Sequence, residues 1–227
     1  VRQLTIDLPR RVSLGWADFY VSDSNQAAVG WIERWPDWPS PVVLLSGPPG
    51  SGKTHLSHLW GERAAAVLVA GGGLEEAALP RLLGDGPPRV AIDDADAAPE
   101  RALLHLYNSC VERGGSLLIA ARHAPGSWPA ALPDLRSRLR AAAWAAIGAP
   151  DDALLAAVLV KHFADRQLRV APAVIAYLVA HGERSFAAAA AIADRLDRMA
   201  LSAGRPVTLA SARRLLGQSS SSDFGTT

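Results

Sequence analysis

Residues Gly47 to Thr54 read GPPGSGKT and match the phosphate-binding pattern G-x-x-x-x-G-K-[ST] at every fixed position. Gly47, Gly50 and Gly52 allow tight backbone turns, so successive N–H groups, that of Ser51 among them, converge on phosphate oxygens at the positive end of a helix. Lys53 has the reach for β- and γ-phosphates, and Thr54 supplies a hydroxyl suited to Mg²⁺. Pro48 and Pro49 stiffen a loop that must be preformed to bind an anion cheaply. A second group suits the same chemistry: the apolar run Arg89–Ile92 ends in Asp93 and Asp94. Asp93 is placed to complete a Mg²⁺ shell, and Asp94 to orient or deprotonate an attacking water. Asp96 reads as a solvated acid at the turn that follows.

These side chains require a strand, a loop and a helix in that order. The apolar run 41–46 supplies the strand, and the helix-compatible run from Lys53 to about residue 66 supplies the helix. Further strands are expected at 66–70, 89–94, 116–121 and 142–147. A helix is expected at 24–35, and another at 99–113, opened by Pro99 and closed by Gly114 and Gly115. The segment 35–41 carries three prolines and reads as a rigid connector. The stretch 132–140, with Arg136, Arg138 and Arg140, reads as a basic turn. From Pro150 the β-type runs stop, and alanine-rich helices are expected at about 151–165, 171–181, 184–202 and 208–216. Alternating β and α followed by helices alone predicts an α/β fold. It comprises a three-layer αβα nucleotide-binding core with a parallel sheet over 13–149 and a C-terminal helical lid over 150–216. Residues 1–12 read as an extended peptide in which Gln3, Leu4, Ile6 and Leu8 belong to a period-two alternation; an edge strand fits the pattern equally. The serine-rich segment 217–227 is expected to be disordered.

With 227 residues, 49% of them hydrophobic and 20% charged, the chain can bury a sizeable core without cross-links. A single cysteine, Cys110, excludes an intramolecular disulfide framework and reads as a buried helix position. A net charge of +1 provides no global attraction to nucleic acid. No apolar run approaches the roughly 18 residues of a membrane span, so a soluble, cytoplasmic protein is expected. The histidines show no metal-ligand grouping, and His55 and His58 on the P-loop helix read as packing and surface. Trp31, Trp35 and Trp38 are expected to pack the connector onto the core.

The order of parts resembles AAA+ ATPases and, within them, the replication initiator DnaA and its shorter relatives. The likeness rests on the P-loop, on residues 18–25 (DFYVSDSN), on 104–119 (LHLYNSCVERGGSLLI) and on 135–139 (LRSRL). It implies that ADP or ATP, with Mg²⁺, is the ligand. Phe19, Tyr20 and Val21 would wall the base pocket, with Asn25 as a polar contact. It implies an arginine finger at Arg138, offered to the nucleotide of a neighbouring subunit. It also implies a lid arginine near the nucleotide, matched by Arg184, although an ungapped match places Ala187 there. The chain departs from the family at the end of the 116–121 strand, where Ala120 and Ala121 stand in place of a polar residue and Arg122 follows. Hydrolysis in its own site is therefore in doubt.

A DnaA-type DNA-binding domain would follow the lid, and none is expected here. The remaining parts resemble Hda, the DnaA-related regulatory inactivator, in its alphaproteobacterial form. In that family a short N-terminal peptide binds the DNA polymerase III sliding clamp. Gln3, Leu4, Ile6 and Leu8 match its pattern, and an extended peptide of this kind can seat apolar anchors in a groove. The resemblance thus implies a regulator of replication initiation whose partners are the DNA-loaded clamp and DnaA, with a homodimer left open. A stand-alone AAA+ ATPase such as a helicase loader, and a non-catalytic adaptor at replication foci, are the alternatives.

Overall fold

The computed structural model describes residues 19–219. Five strands, β1 (Val42–Ser46), β2 (Val67–Ala70), β3 (Arg89–Asp93), β4 (Ser116–Ala121) and β5 (Ala143–Ala146), form one sheet in the order β2-β3-β4-β1-β5. Every pairing is parallel. The central β1 is buried at all five positions, as a strand covered on both faces must be. Its side chains alternate between two cores. Val42 and Leu44 join Val90, Ile92, Leu117 and Ile119 under α3 (Leu79–Leu83), α4 (Glu100–Glu112) and α5 (Pro133–Ala141). Val43 and Leu45 join Ala91 and Leu118 under α1 (Gln26–Arg34) and α2 (Lys53–Ala64). The result is the expected αβα sandwich.

The tryptophan connector packs as expected. Trp38 stacks on the buried Trp60 at 5.2 Å between centroids, and its indole N–H donates to the Trp31 carbonyl at 2.7 Å. Cys110 is fully buried, and burial pushes its thiol pKa up to about 12, so it packs as an inert hydrophobe.

Helices α6 (Asp152–Asp165), α7 (Pro172–His181), α8 (Phe186–Ala203) and α9 (Leu209–Ser219) enclose their own core of Leu155, Leu159, Phe163, Leu178, Ala193 and Leu196. Side-chain caps start three of them: Asp151 accepts from the Leu154 N–H at 2.7 Å, Ser185 from the Ala188 N–H at 3.0 Å, and Thr208 from the Ser211 N–H at 3.3 Å.

Three local expectations change. The basic turn at 132–140 is the helix α5: Pro133 sits at its start, Asp134 in its first turn, and Arg138 and Arg140 in its last, where they complement the helix dipole. Leu135 and Leu139, four apart and fully buried, supply the apolar stripe that the arginines obscure in the sequence. Between the strands expected at 66–70 and 89–94, where no further element is expected, two short 3₁₀ turns lead into α3. Helix α9 runs to Ser219, beyond the expected end at residue 216. The peptide carrying Gln3, Leu4, Ile6 and Leu8, and the segment 220–227, lie outside the described residues.

Candidate functional site

The loop 47–52 leaves the C-terminal end of β1 and is fastened on both sides. The Gly47 N–H donates to the Ala121 carbonyl at the end of β4 (3.2 Å), and the Ile147 N–H, just past β5, donates to the Ser46 carbonyl (2.6 Å). The Trp144 indole adds a bond to the Ser46 hydroxyl at 2.8 Å. Gly50 and Gly52 hold φ of +76° and +91°, which side chains rarely adopt. Space matters as well: a Cβ on Gly52 would stand 3.1 Å from the Phe19 ring, and one on Gly50 would stand 2.9 Å from the Cβ of Phe186. Phe19 and the first residue of α8 therefore both lie against the loop.

Lys53 is 5% exposed, and its ammonium donates to the Gly47 and Pro48 carbonyls, each at 2.9 Å. Burial lowers its pKa from the usual lysine value; the charges of Asp93, Asp94 and Asp96 oppose that shift and Arg122 adds to it. The Thr54 hydroxyl donates to Asp93 Oδ2 at 2.6 Å. This bond joins the start of α2 to the end of β3 and brings together the two oxygen ligands read from the sequence. A cavity of about 180 Å³ opens beside them, lined by Thr54, Ser57, His58, Val69 and Asp93 among others. Asp94 is exposed and adopts a left-handed φ of +47°, a strained state that aspartate tolerates better than most residues.

The residues match the demands of a nucleotide with its cation. The glycine conformations leave room for close approach to the backbone, Lys53 is a buried cation, and the Thr54–Asp93 pair is a hard-oxygen set suited to Mg²⁺. No cluster of three or more His, Cys, Asp or Glu is present among the described residues, so the protein itself provides no multi-ligand metal cage there. A P-loop cation, which takes its remaining ligands from phosphate and water, needs none.

The other expected residues are distributed as follows. Phe19 packs edge-on to His55 at 5.0 Å, beside Gly52. Tyr20 and Val21 are about half exposed, at 49% and 47%. Asn25 is 2% exposed, and its amide closes the preceding loop by donating to the Tyr20 carbonyl and accepting from the Ser22 N–H, both at 2.9 Å. Pro48 and Ser51 occupy the loop, Ser51 buried. Arg184 pairs with Asp152 at 2.7 Å, while Phe186 and Ala187 meet Gly50. Arg138 stands exposed on α5, its guanidinium carbon 5.8 Å from the centre of the Tyr107 ring.

Asp96 is not the solvated acid expected. Its carboxylate accepts from the Arg122 N–H at 2.6 Å, from the His123 N–H at 3.3 Å and from the His123 ring at 2.5 Å. Burial alone would raise its pKa, but these donors together hold it below the usual aspartate value. It thus pins the turn after β4 to the turn after β3, at the departure from the family pattern noted in the sequence. No local pattern could reveal it, because its partners lie on another strand end.

The segment 151–216 matches the family model described as Hda, lid domain. Domain III of the Thermotoga maritima replication initiation protein DnaA shares the fold, with a TM-score of 0.73 at 17% identity over 93% of this chain and 98% of that one. The C-terminal helices thus match the Hda lid family, and the chain as a whole shares the fold of DnaA domain III. AMPPCP-bound DnaA from Aquifex aeolicus aligns with this chain at a TM-score of 0.61 and 16% identity, over 78% of this chain and 63% of the DnaA. The Thermotoga maritima RuvB Holliday junction branch migration motor gives 0.60 and 16%, over 84% of this chain and 65% of that one. This chain thus spans just under two thirds of these two longer neighbours. No curated protein matches its sequence.

Proposed function

We propose that this protein is an Hda-type, nucleotide-bound regulator of replication initiation that stimulates hydrolysis of ATP held by DnaA, using Arg138 as a trans-acting finger. The observation that carries the reading is the placement of Arg138. Its guanidinium is exposed on α5, is paired with no carboxylate among the described residues, and is absent from the charges that act on the protein's own Lys53. A cation so presented is available to a phosphoryl group on another molecule, where fingers contribute roughly 10³–10⁵ in rate.

The protein's own site holds ADP or ATP. The loop N–H groups and Lys53 would bind the phosphates, whose charge adds to that of the nearby aspartates in compensating the buried ammonium. Thr54 and Asp93 would hold the Mg²⁺ that neutralises them, and Phe19 would pack near the base. Asp94 is the residue for orienting water. Own turnover is weak, since Ala120 and Ala121 at the end of β4 are fully buried and offer no side-chain donor. Nucleotide in this site then sets the shape of the lid, through the contact between Gly50 and Phe186. In this reading Gln3, Leu4, Ile6 and Leu8 dock on the DNA-loaded sliding clamp, which concentrates the protein where replication has begun.

The test follows ATP bound to DnaA in the presence of DNA-loaded clamp, with wild type, Gln3→Ala and Arg138→Ala. Wild type should accelerate hydrolysis, Arg138→Ala should not, and Gln3→Ala should lose the dependence on clamp. Undiminished stimulation by Arg138→Ala would remove the finger. Clamp retention surviving combined loss of Gln3 and Leu8 would remove the docking peptide.

A further inference from the structure

We infer that Glu100 and Tyr107 are positioning residues for Arg138, because α4 grips α5 at two points and thereby fixes where the guanidinium stands. The inference rests on the reading of Arg138 as a finger. The two residues are seven apart, or about two helical turns, and so share one face of α4. At the first point the two oxygens of the Glu100 carboxylate accept from the Ala131 and Leu132 N–H groups, both at 2.7 Å. These are the residues immediately before Pro133, where α5 begins, so the carboxylate holds the start of the helix with charge-assisted bonds. At the second point the Tyr107 hydroxyl donates to the Arg138 carbonyl at 3.3 Å, and its ring lies under the guanidinium at 5.8 Å.

Tyr107 is only 6% exposed, so its ring is a fixed surface that does not follow the arginine. Between the two grips, Leu103 of α4 and Leu135 and Leu139 of α5 belong to the same buried cluster. The backbone of α5 is therefore set by packing, its starting point by Glu100, and the direction of one long side chain by an aromatic platform. Arginine on such a platform retains its five donors for an outside ligand, because the ring uses only its face. Fewer free conformations remain to be lost when the finger meets a phosphoryl group. Position matters there, since a displacement of about 1 Å can cost on the order of 10²-fold in rate.

Single-turnover hydrolysis of DnaA-bound ATP with DNA-loaded clamp tests this in Tyr107→Phe, Tyr107→Leu and Glu100→Gln, each also made in the Arg138→Ala background. The expected result is a maximal stimulated rate lowered about fivefold by Tyr107→Leu and about twofold by the milder variants, the scale of one exposed cation–π contact or hydrogen bond. The concentration giving half-maximal stimulation and the protein's own affinity for a fluorescent ADP should not move. None of the three changes should lower the rate further once Arg138 is alanine. If Tyr107→Leu fails to fold, Tyr107→Phe and Glu100→Gln carry the test. Unchanged rates in folded variants would overturn the inference, as would losses that multiply with that of Arg138→Ala or that track own-nucleotide affinity. Should Arg138→Ala itself stimulate like wild type, the finger reading fails first and the positioning role fails with it.

Discussion

In the proposed reading the loop around Lys53 and the helix carrying Arg138 both offer a cation to phosphate, yet they are built in opposite ways. Lys53 is buried, bonded to two loop carbonyls and subject to the charge of three aspartates at the end of β3. Arg138 is exposed, touches one ring and has no carboxylate partner among the described residues. The first cation is locked into a pocket that can only receive a ligand; the second is held at its base and free at its tip. A protein needs the first arrangement to bind a nucleotide and the second to act on a nucleotide that something else has bound.

The contrast can be broken most directly at its exposed end. Arg138→Ala should lower stimulated hydrolysis on DnaA by about 10³-fold or more while leaving own-nucleotide affinity unchanged, as read by single-turnover kinetics and fluorescent ADP binding. Lys53→Ala should do the reverse, weakening own-nucleotide binding by about 10- to 100-fold, the scale of one lost bond to a charged group, as read by equilibrium titration. A variant of either residue that impaired both readouts equally would erase the distinction between the two sites.

Smaller effects sharpen it. Glu100→Ala leaves two backbone N–H groups before α5 without their acceptor and should cost about 2 kcal/mol of stability, measured by urea unfolding, with own-nucleotide affinity unchanged. The smallest effect concerns Asp96, whose pKa is held below the usual aspartate value. A lowered folded-state pKa means that its stabilisation is present above the unfolded value and is lost as pH falls through the folded one. The thermal midpoints of wild type and Asp96→Asn should therefore differ at neutral pH and converge on acidification below that range. A difference that persisted unchanged into acid would mean that the carboxylate charge is not what pins the two turns.

The Asp96 case shows where a sequence stops being legible. Strands β1, β3 and β4, the P-loop and the lid helices announced themselves because each signal is local: an apolar run, a glycine pattern, a proline start, a helical period. Helix α5 was obscured because its arginines read as a turn, and only burial of Leu135 and Leu139 makes it an amphipathic helix.

The sequence by itself therefore determined the chemistry on offer: a phosphate loop, two carboxylates after an apolar strand, a basic stretch with three arginines, and the layered α/β architecture with its helical lid. These follow from residue types at fixed short spacings, which the backbone periods of strand and helix convert directly into faces and ends. Only the tertiary structure decided that Thr54 meets Asp93, that Asp96 holds the turn after β4, that Phe186 of the lid rests on Gly50, and that α4 sets the stance of Arg138. Each of these contacts joins residues more than 25 positions apart, and which distant residues meet depends on strand order and helix packing, which no local spacing encodes.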